Sequence, residues 1–242
     1  MNNKRLLLPL LWSSLWCVLN FGHASAVEHD SGQKAAPSTH LRPNIIFILT
    51  DDLDARELAA MQRVQLDLVY EGVSYTNYFV TNSLCCPSRA SILRGQYVHN
   101  HGIWQNNLPS GGFGKFHGHR LENSTIATWL QAGGYRTALM GKYLNTYPRG
   151  VQPTYVPPGW DVWNSPIDRN AYSEFNYKLN ENGKIVSYAN DANDYLTDVL
   201  SRKAGAFIRQ SAESGTPFFL YLATFAPHSP WTPAPRHRQT FA

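Results

Sequence analysis

Cysteine is scarce in this sequence. Of three in 242 residues, Cys17 lies in the leading apolar run, which leaves Cys85 and Cys86 side by side for the rest of the chain. Neighbours in sequence make a poor, strained bridge, so the disulfide framework that exported domains use is excluded. Charged residues are also few, at 16 %, and the formal net charge is only +4. With Lys4 and Arg5 removed, the 21 basic residues fall to 19 against 17 acidic ones and the charge to +2, which is no signature of a nucleic-acid partner. Beyond Phe21 no stretch approaches the roughly 20 consecutive apolar residues that a spanning helix needs. What is present, 43 % hydrophobic and 13 % aromatic residues, suits one domain with a substantial core.

The first 26 residues read as a signal peptide. Lys4 and Arg5 form a positive head, Leu6 to Phe21 is mostly apolar, and Ala24, Ser25 and Ala26 match a small-residue cleavage site. Ser13, Ser14 and Asn20 interrupt the run, which favours export with cleavage over a membrane anchor. The expected product is exported, to periplasm, medium or an animal lysosome, without stable membrane insertion. Residues 27–41 are polar and aperiodic, as in a flexible mature amino terminus. One domain is expected over 42–242.

Continuous apolar runs at Asn44 to Thr50 (NIIFILT), Tyr135 to Met140 and Pro217 to Phe225 (PFFLYLATF) predict strands buried on both faces of a parallel sheet. Val73 to Val80 is expected to be a further extended segment. Helical spacing runs over residues 55–70, closed by Gly72, and over Pro87 to Leu93, stopped by Gly95, with the cysteine pair just before that helix. Ser124 and Asn193 are the expected caps of helices reaching Gln131 and Arg209. Asn182 and Gly183, between two extended segments, predict a hairpin. Gly150 to Ser173, rich in Pro, Trp, Tyr and Asn, reads as an excursion loop forming one wall of a site. The alternation predicts an α/β fold, in which ligands bind outside the carboxyl ends of the strands.

Asp51, Asp52, Lys142 and His228 all fall just past such ends. Two carboxylates on a rigid strand suit a hard cation, Ca²⁺ or Mg²⁺, although either pair member equally suits an ordinary turn. Lys142 is a compact charge for an anion, and His228 can bind one too or protonate a leaving group. His99 and His101 lie within reach of the same cleft without an assigned role. Trp104, Tyr143, Tyr147, Trp160, Trp163 and Trp231 offer faces for sugar rings, or fill the core. Asn123, Ser124 and Thr125 form a glycosylation sequon.

The segment CCPSRASILRG, beginning at Cys85, resembles the sulfatase signature CxPSR followed by LxG, with Cys85, Pro87, Ser88, Arg89, Leu93 and Gly95 in place. The resemblance extends along nearly the whole chain through RPNIIFILTDD from Arg42, GKYLN from Gly141 and APHSPW from Ala226. The last two are most similar to the glucosamine-6-sulfatase and extracellular heparan-sulfatase branch. The resemblance implies an alkaline-phosphatase-like, mixed but mainly parallel sheet flanked by helices. It implies removal of sulfate from a sulfated sugar or glycosaminoglycan, with 6-sulfated N-acetylglucosamine favoured. It also implies that a formylglycine-generating enzyme converts Cys85 to formylglycine (3-oxoalanine) during export. One hydroxyl of the hydrated aldehyde would displace the alcohol from sulfur, and proton loss from the other would release sulfate and regenerate the aldehyde. Cys85, Arg89, Lys142 and His228 would be catalytic. Asp51, Asp52 and the modified Cys85 would hold Ca²⁺, with Mg²⁺ as the alternative.

Two departures matter. Many sulfatases carry a histidine two places after the lysine of GKYLN, where this chain has Leu144 followed by Asn145. Family members also continue far past residue 242 and supply further metal ligands, so the chain is expected to be the amino-terminal part of a catalytic domain. Two other readings follow: a catalytically inactive glycan-binding fragment, and a phosphatase or phosphodiesterase of the same superfamily.

Overall fold

The computed structural model describes residues 42–240; the expected signal peptide and polar amino terminus lie outside them. Six strands form one sheet: β1 (Ile45–Leu49), β2 (Arg136–Gly141), β3 (Val162–Pro166), β4 (Lys178–Glu181), β5 (Lys184–Ser187) and β6 (Phe218–Ala223). Their order is β1-β6-β2-β3-β4-β5, parallel from β1 to β3 and antiparallel through β4 and β5. This is the mixed, mainly parallel α/β sheet that the apolar runs predict. The β4–β5 hairpin turns where expected, with Asn182 and Gly183 both at positive φ, 50° and 87°.

Among the described residues seven α-helices accompany the sheet: α1 (Ala55–Leu58), α2 (Gln62–Val64), α3 (Cys85–Arg94), α4 (Val98–His101), α5 (Gly112–Gly118), α6 (Ile126–Ala132) and α7 (Leu196–Glu213). Side chains alternate across the central strands. Leu139, Phe219 and Tyr221 join a core with Ala90 and Leu93 of α3, Phe113 and Phe116 of α5 and Ala127 of α6. Ala138, Met140, Phe218 and Leu220 point the other way, into Val199, Leu200, Ala204 and Phe207 of α7.

β1 departs from its expectation. Phe47 packs into the first core, but Ile46 and Ile48 are 48 % and 52 % exposed. The reason is position: β1 is the edge strand, and α7 packs chiefly on β2 and β6. Residues 55–70 are helical but broken into short turns, and Leu66, Leu68 and Tyr70 stay exposed. Val73 to Val80 is not a strand, because no neighbouring strand pairs with it among the described residues, and β-propensity needs a partner surface to act.

Other boundaries moved for identifiable reasons. α6 is capped by Thr125, not Ser124, through reciprocal bonds with Thr128: Thr125 N–H donates to the Thr128 hydroxyl at 2.9 Å and Thr128 N–H to that of Thr125 at 3.5 Å. α7 is not capped by Asn193: it begins at Leu196, and Glu174 supplies the cap from outside, accepting the Thr197 N–H and hydroxyl at 2.8 Å each. The expected excursion loop contains β3, whose buried Asn164 and Ser165 interrupt the apolar pattern that marks the other strands.

Candidate active site

Register brings the strand ends together. Leu49 of β1 and Gly141 of β2 are both level with Ala223 of β6, so Asp51, Lys142 and the loop to His228 leave the sheet at one edge. Lys142 N–H donates to the Ala223 carbonyl at 2.8 Å, and Thr224 N–H to that of Leu49 at 3.1 Å. The approach of β2 to β6 requires glycine at 141: φ is 108°, and a Cβ there would meet the Ala223 oxygen at 1.8 Å.

Cys85 faces this edge from the first turn of α3, where the expectation had placed it just before the helix. The turn starts this early because its N–H groups are accounted for. Cys86 N–H donates to the Asn106 side chain at 2.8 Å, Pro87 has none, and Ser88 N–H closes the first helical bond on Leu84 at 3.0 Å. Gly95, left-handed at φ 60°, ends the helix as expected.

Asp51 is the hub. It is 3 % exposed, and its carboxylate accepts the Arg89 guanidinium at 3.2 Å, the Lys142 ammonium and, at 3.7 Å, the Cys85 thiol. Arg89, 2 % exposed, also donates to the Lys142 carbonyl at 2.8 Å. Lys142, 3 % exposed, lies 4.9 Å from the Tyr172 ring centroid and 5.7 Å from that of Phe225. Such a carboxylate is tolerated in the interior because both cations and the hydrogen bonds come with it.

Asp52 is exposed, in the left-handed region at φ 62°, and its carboxylate lies 3.6 Å from Nε2 of His228. The His228 ring packs at a tilt of 58° against that of Tyr172, centroids 4.7 Å apart, and its Nδ1 contacts the Ser229 carbonyl at 2.6 Å. A carbonyl only accepts, so Nδ1 carries the hydrogen and the neutral ring keeps its lone pair on Nε2, towards the site.

Ligand atoms of Asp51, Cys85 and His228 lie within 4.8 Å of one another, a cluster among the described residues able to hold a metal ion. As a thiol, Cys85 does not fit a hard cation. Burial, with the Asp51 and Asp52 charges, raises its pKa against the opposing Lys142 and Arg89, so the sulfur stays protonated at neutral pH. An oxygen at that carbon, beside the Asp51 carboxylate, would be the donor type such a cation takes; the exposed Asp52 carboxylate lies outside the 4.8 Å cluster. Cys86 is fully buried in the core, with its thiol pushed up to about 11.

The structure brings together Asp51, Asp52, Cys85, Arg89, Lys142 and His228. His101 is structural: it is buried, its Nδ1 accepts the Ile103 N–H at 3.1 Å, and Nε2 donates to the Ser91 hydroxyl at 3.0 Å. Of the aromatics, Tyr143, Tyr147, Trp160 and Trp163 are core, while Trp104 and Trp231 are exposed. Asn106 and Tyr172 were missed. Asn106 reaches Cys86 from 20 residues away with no sequence signal, and Tyr172 lay within the aromatic loop. Beside Lys142 opens a cavity of about 470 Å³, walled by residues on both sides of Arg149 and of Asp168.

Comparison with known proteins bears on the family. The sulfatase family model matches residues 43–242. The chain is 37 % identical over 206 residues to a putative extracellular sulfatase Sulf-1 homolog of Caenorhabditis elegans, covering 82 % of this chain and 28 % of that protein. It is 37 % identical over 206 residues to the N-acetylglucosamine-6-sulfatase of Homo sapiens, covering 83 % of this chain and 37 % of that protein. A solved structure described as BT4656 in complex with its substrate D-glucosamine-2-N,6-O-disulfate superposes with a TM-score of 0.64 at 29 % identity, over 81 % of this chain and 37 % of that one. The chain therefore spans about a third of the length of these relatives. With that coverage of its own length and the signature residues converging on one strand edge, the chain belongs to the sulfatase family.

Proposed function

We propose that this chain carries the nucleophile side of a sulfuric ester hydrolase acting on a sulfated sugar, 6-sulfated N-acetylglucosamine first among them. The observation that supports it most is the convergence of Asp51, Cys85 and His228 within 4.8 Å, with Arg89 and Lys142 both on Asp51. In this reading Cys85 is a precursor: its thiol is protonated and donates to Asp51, a poor state for a thiolate nucleophile. A formylglycine-generating enzyme, acting during export, would replace the sulfur by an aldehyde oxygen. Asp51, Asp52 and that oxygen would hold Ca²⁺, which would supply a lowered pKa to the hydroxyl at residue 85.

The chain's own residues define the remaining roles. Arg89, fixed from one turn along α3, holds position 85 and offsets charge there. Lys142 offers its ammonium to a sulfate oxygen. His228, whose Nδ1 is held by the Ser229 carbonyl so that Nε2 faces the site, protonates the leaving alcohol through Nε2–H of its imidazolium form. Export is supported by the resemblance to extracellular sulfatases, and no helix among the described residues is long and apolar enough to cross a membrane.

Sulfate release from a chromogenic ester by the purified protein, after conversion of Cys85 has been verified, tests this reading. Turnover that disappears in Cys85→Ser supports it, and full activity in that variant sinks it. One observation favours a second reading, a non-catalytic glycan-binding fragment: among the described residues the carboxylates near Cys85 are those of Asp51 and Asp52, and Arg89 and Lys142 already pair with the first. Sugar binding without sulfate release would mark that outcome.

A further inference from the structure

The cavity beside Lys142 is larger than one sulfate group needs. At about 470 Å³ it falls in the roughly 300–1,000 Å³ range of pockets that enclose drug-sized molecules. Two pieces of chain build most of its wall, residues 142–153, leaving the end of β2, and residues 165–172, around the end of β3, with Asn107 and Phe225 completing it. Each brings one arginine, Arg149 and Arg169. Both are exposed, and neither takes part in an ion pair among the described residues. The acid in the wall, Asp168, is committed to its own backbone, accepting the N–H groups of Asn170 at 3.1 Å and Lys178 at 3.0 Å. Asn145, also in the wall, has a buried side-chain oxygen with no partner.

We propose that Arg149 and Arg169 form a second anion subsite, taking a sulfate or carboxylate that the sugar chain carries away from the ester at Cys85. The subsite rests on the sulfatase reading of that ester site. Two uncompensated guanidiniums lining one concavity are a field for an anion, and their planar forks match the paired oxygens of sulfate and carboxylate. The subsite selects polyanionic glycan over a sugar bearing one sulfate.

Titration calorimetry on the whole protein tests this with three ligands: N-acetylglucosamine 6-sulfate, glucosamine 2-N,6-O-disulfate, and N-acetylglucosamine 6-sulfate linked to a uronic acid. In the Arg149→Ala/Arg169→Ala variant, affinity for one or both doubly anionic ligands should fall about tenfold or more, while that for the monosulfated sugar changes less than about twofold. Whichever ligand responds identifies the second group as sulfate or carboxylate. The Arg149→Lys/Arg169→Lys variant should recover part of the loss by retaining charge. Equal loss for all three ligands, no loss, or no binding of any by the unsubstituted protein overturns the subsite. The readout is binding, so selective loss in a protein that releases no sulfate keeps the subsite and removes the sulfatase reading. Lys142→Ala, expected to weaken all three ligands alike, reports on that reading separately.

Discussion

The strands of the parallel half of the sheet are finished differently. β2 and β6 are covered on both faces, by the core of α3, α5 and α6 on one side and by α7 on the other. β1 is covered on one face, leaves Ile46 and Ile48 open on the other, and is followed by a stretch in which Leu66, Leu68, Tyr70, Tyr75, Tyr78 and Phe79 are exposed. The candidate site straddles the two regions. Lys142 and His228 follow the doubly covered strands, whereas Asp51 and Asp52 follow the open one. Local stability tracks buried apolar contact, so the putting-together of this site depends most on its least supported strand.

Gly141 is where the comparison breaks most severely. Gly141→Ala places a Cβ at 1.8 Å from the Ala223 oxygen at positive φ, and should cost more than about 4 kcal/mol or prevent folding, as read by circular dichroism and urea denaturation. Next, Arg89→Ala leaves buried Asp51 with half its compensation, at an expected cost of about 3 kcal/mol in the same denaturation measurement. A matched pair then sharpens the contrast between strands. Leu220→Ala, fully buried on β6, should cost about 3 kcal/mol, while Ile48→Ala, half exposed on β1, should cost less than about 1 kcal/mol. Equal costs would mean that β1 is as well covered as β6.

The smallest effect is one of pH at Glu174, the outside cap of α7. Burial raises its pKa above the usual 4.5, against the opposing bonds from Thr197. The native state thus holds the proton more tightly than the unfolded chain. Its stabilising contribution is full below pH about 4.5 and is lost as pH rises through the raised native value. Glu174→Gln, which stays neutral, should gain stability relative to the parent on going from acid to neutral pH, by less than about 1 kcal/mol in urea midpoints.

The parts of the fold that announce themselves are those whose pattern reflects burial on both faces. The runs at Tyr135 to Met140 and Pro217 to Phe225 are β2 and β6 within two residues at each end, and the residues just past them are Lys142 and, a loop further, His228. The run at Asn44 to Thr50 is also a strand, but nothing in its composition tells an edge strand from a central one. β3 was hidden because Asn164 and Ser165 are buried polar residues in a segment dense with turn formers. Val73 to Val80 misled because its aromatic and β-branched residues favour a strand that has no partner here. In the site, the signature from Cys85 located the proposed nucleophile position and Arg89. The hub role of Asp51, the Asn106 clamp on Cys86 and the Tyr172 contacts with Lys142 and His228 arise only from tertiary packing.

The central claim is that Cys85 is a precursor and Cys86 a bystander. Peptide mass spectrometry across Cys85 to Arg89 of the exported protein tests it most directly. The account predicts the loss of mass that turns a thiol side chain into an aldehyde, confined to position 85. Two unmodified cysteines in that peptide would contradict it.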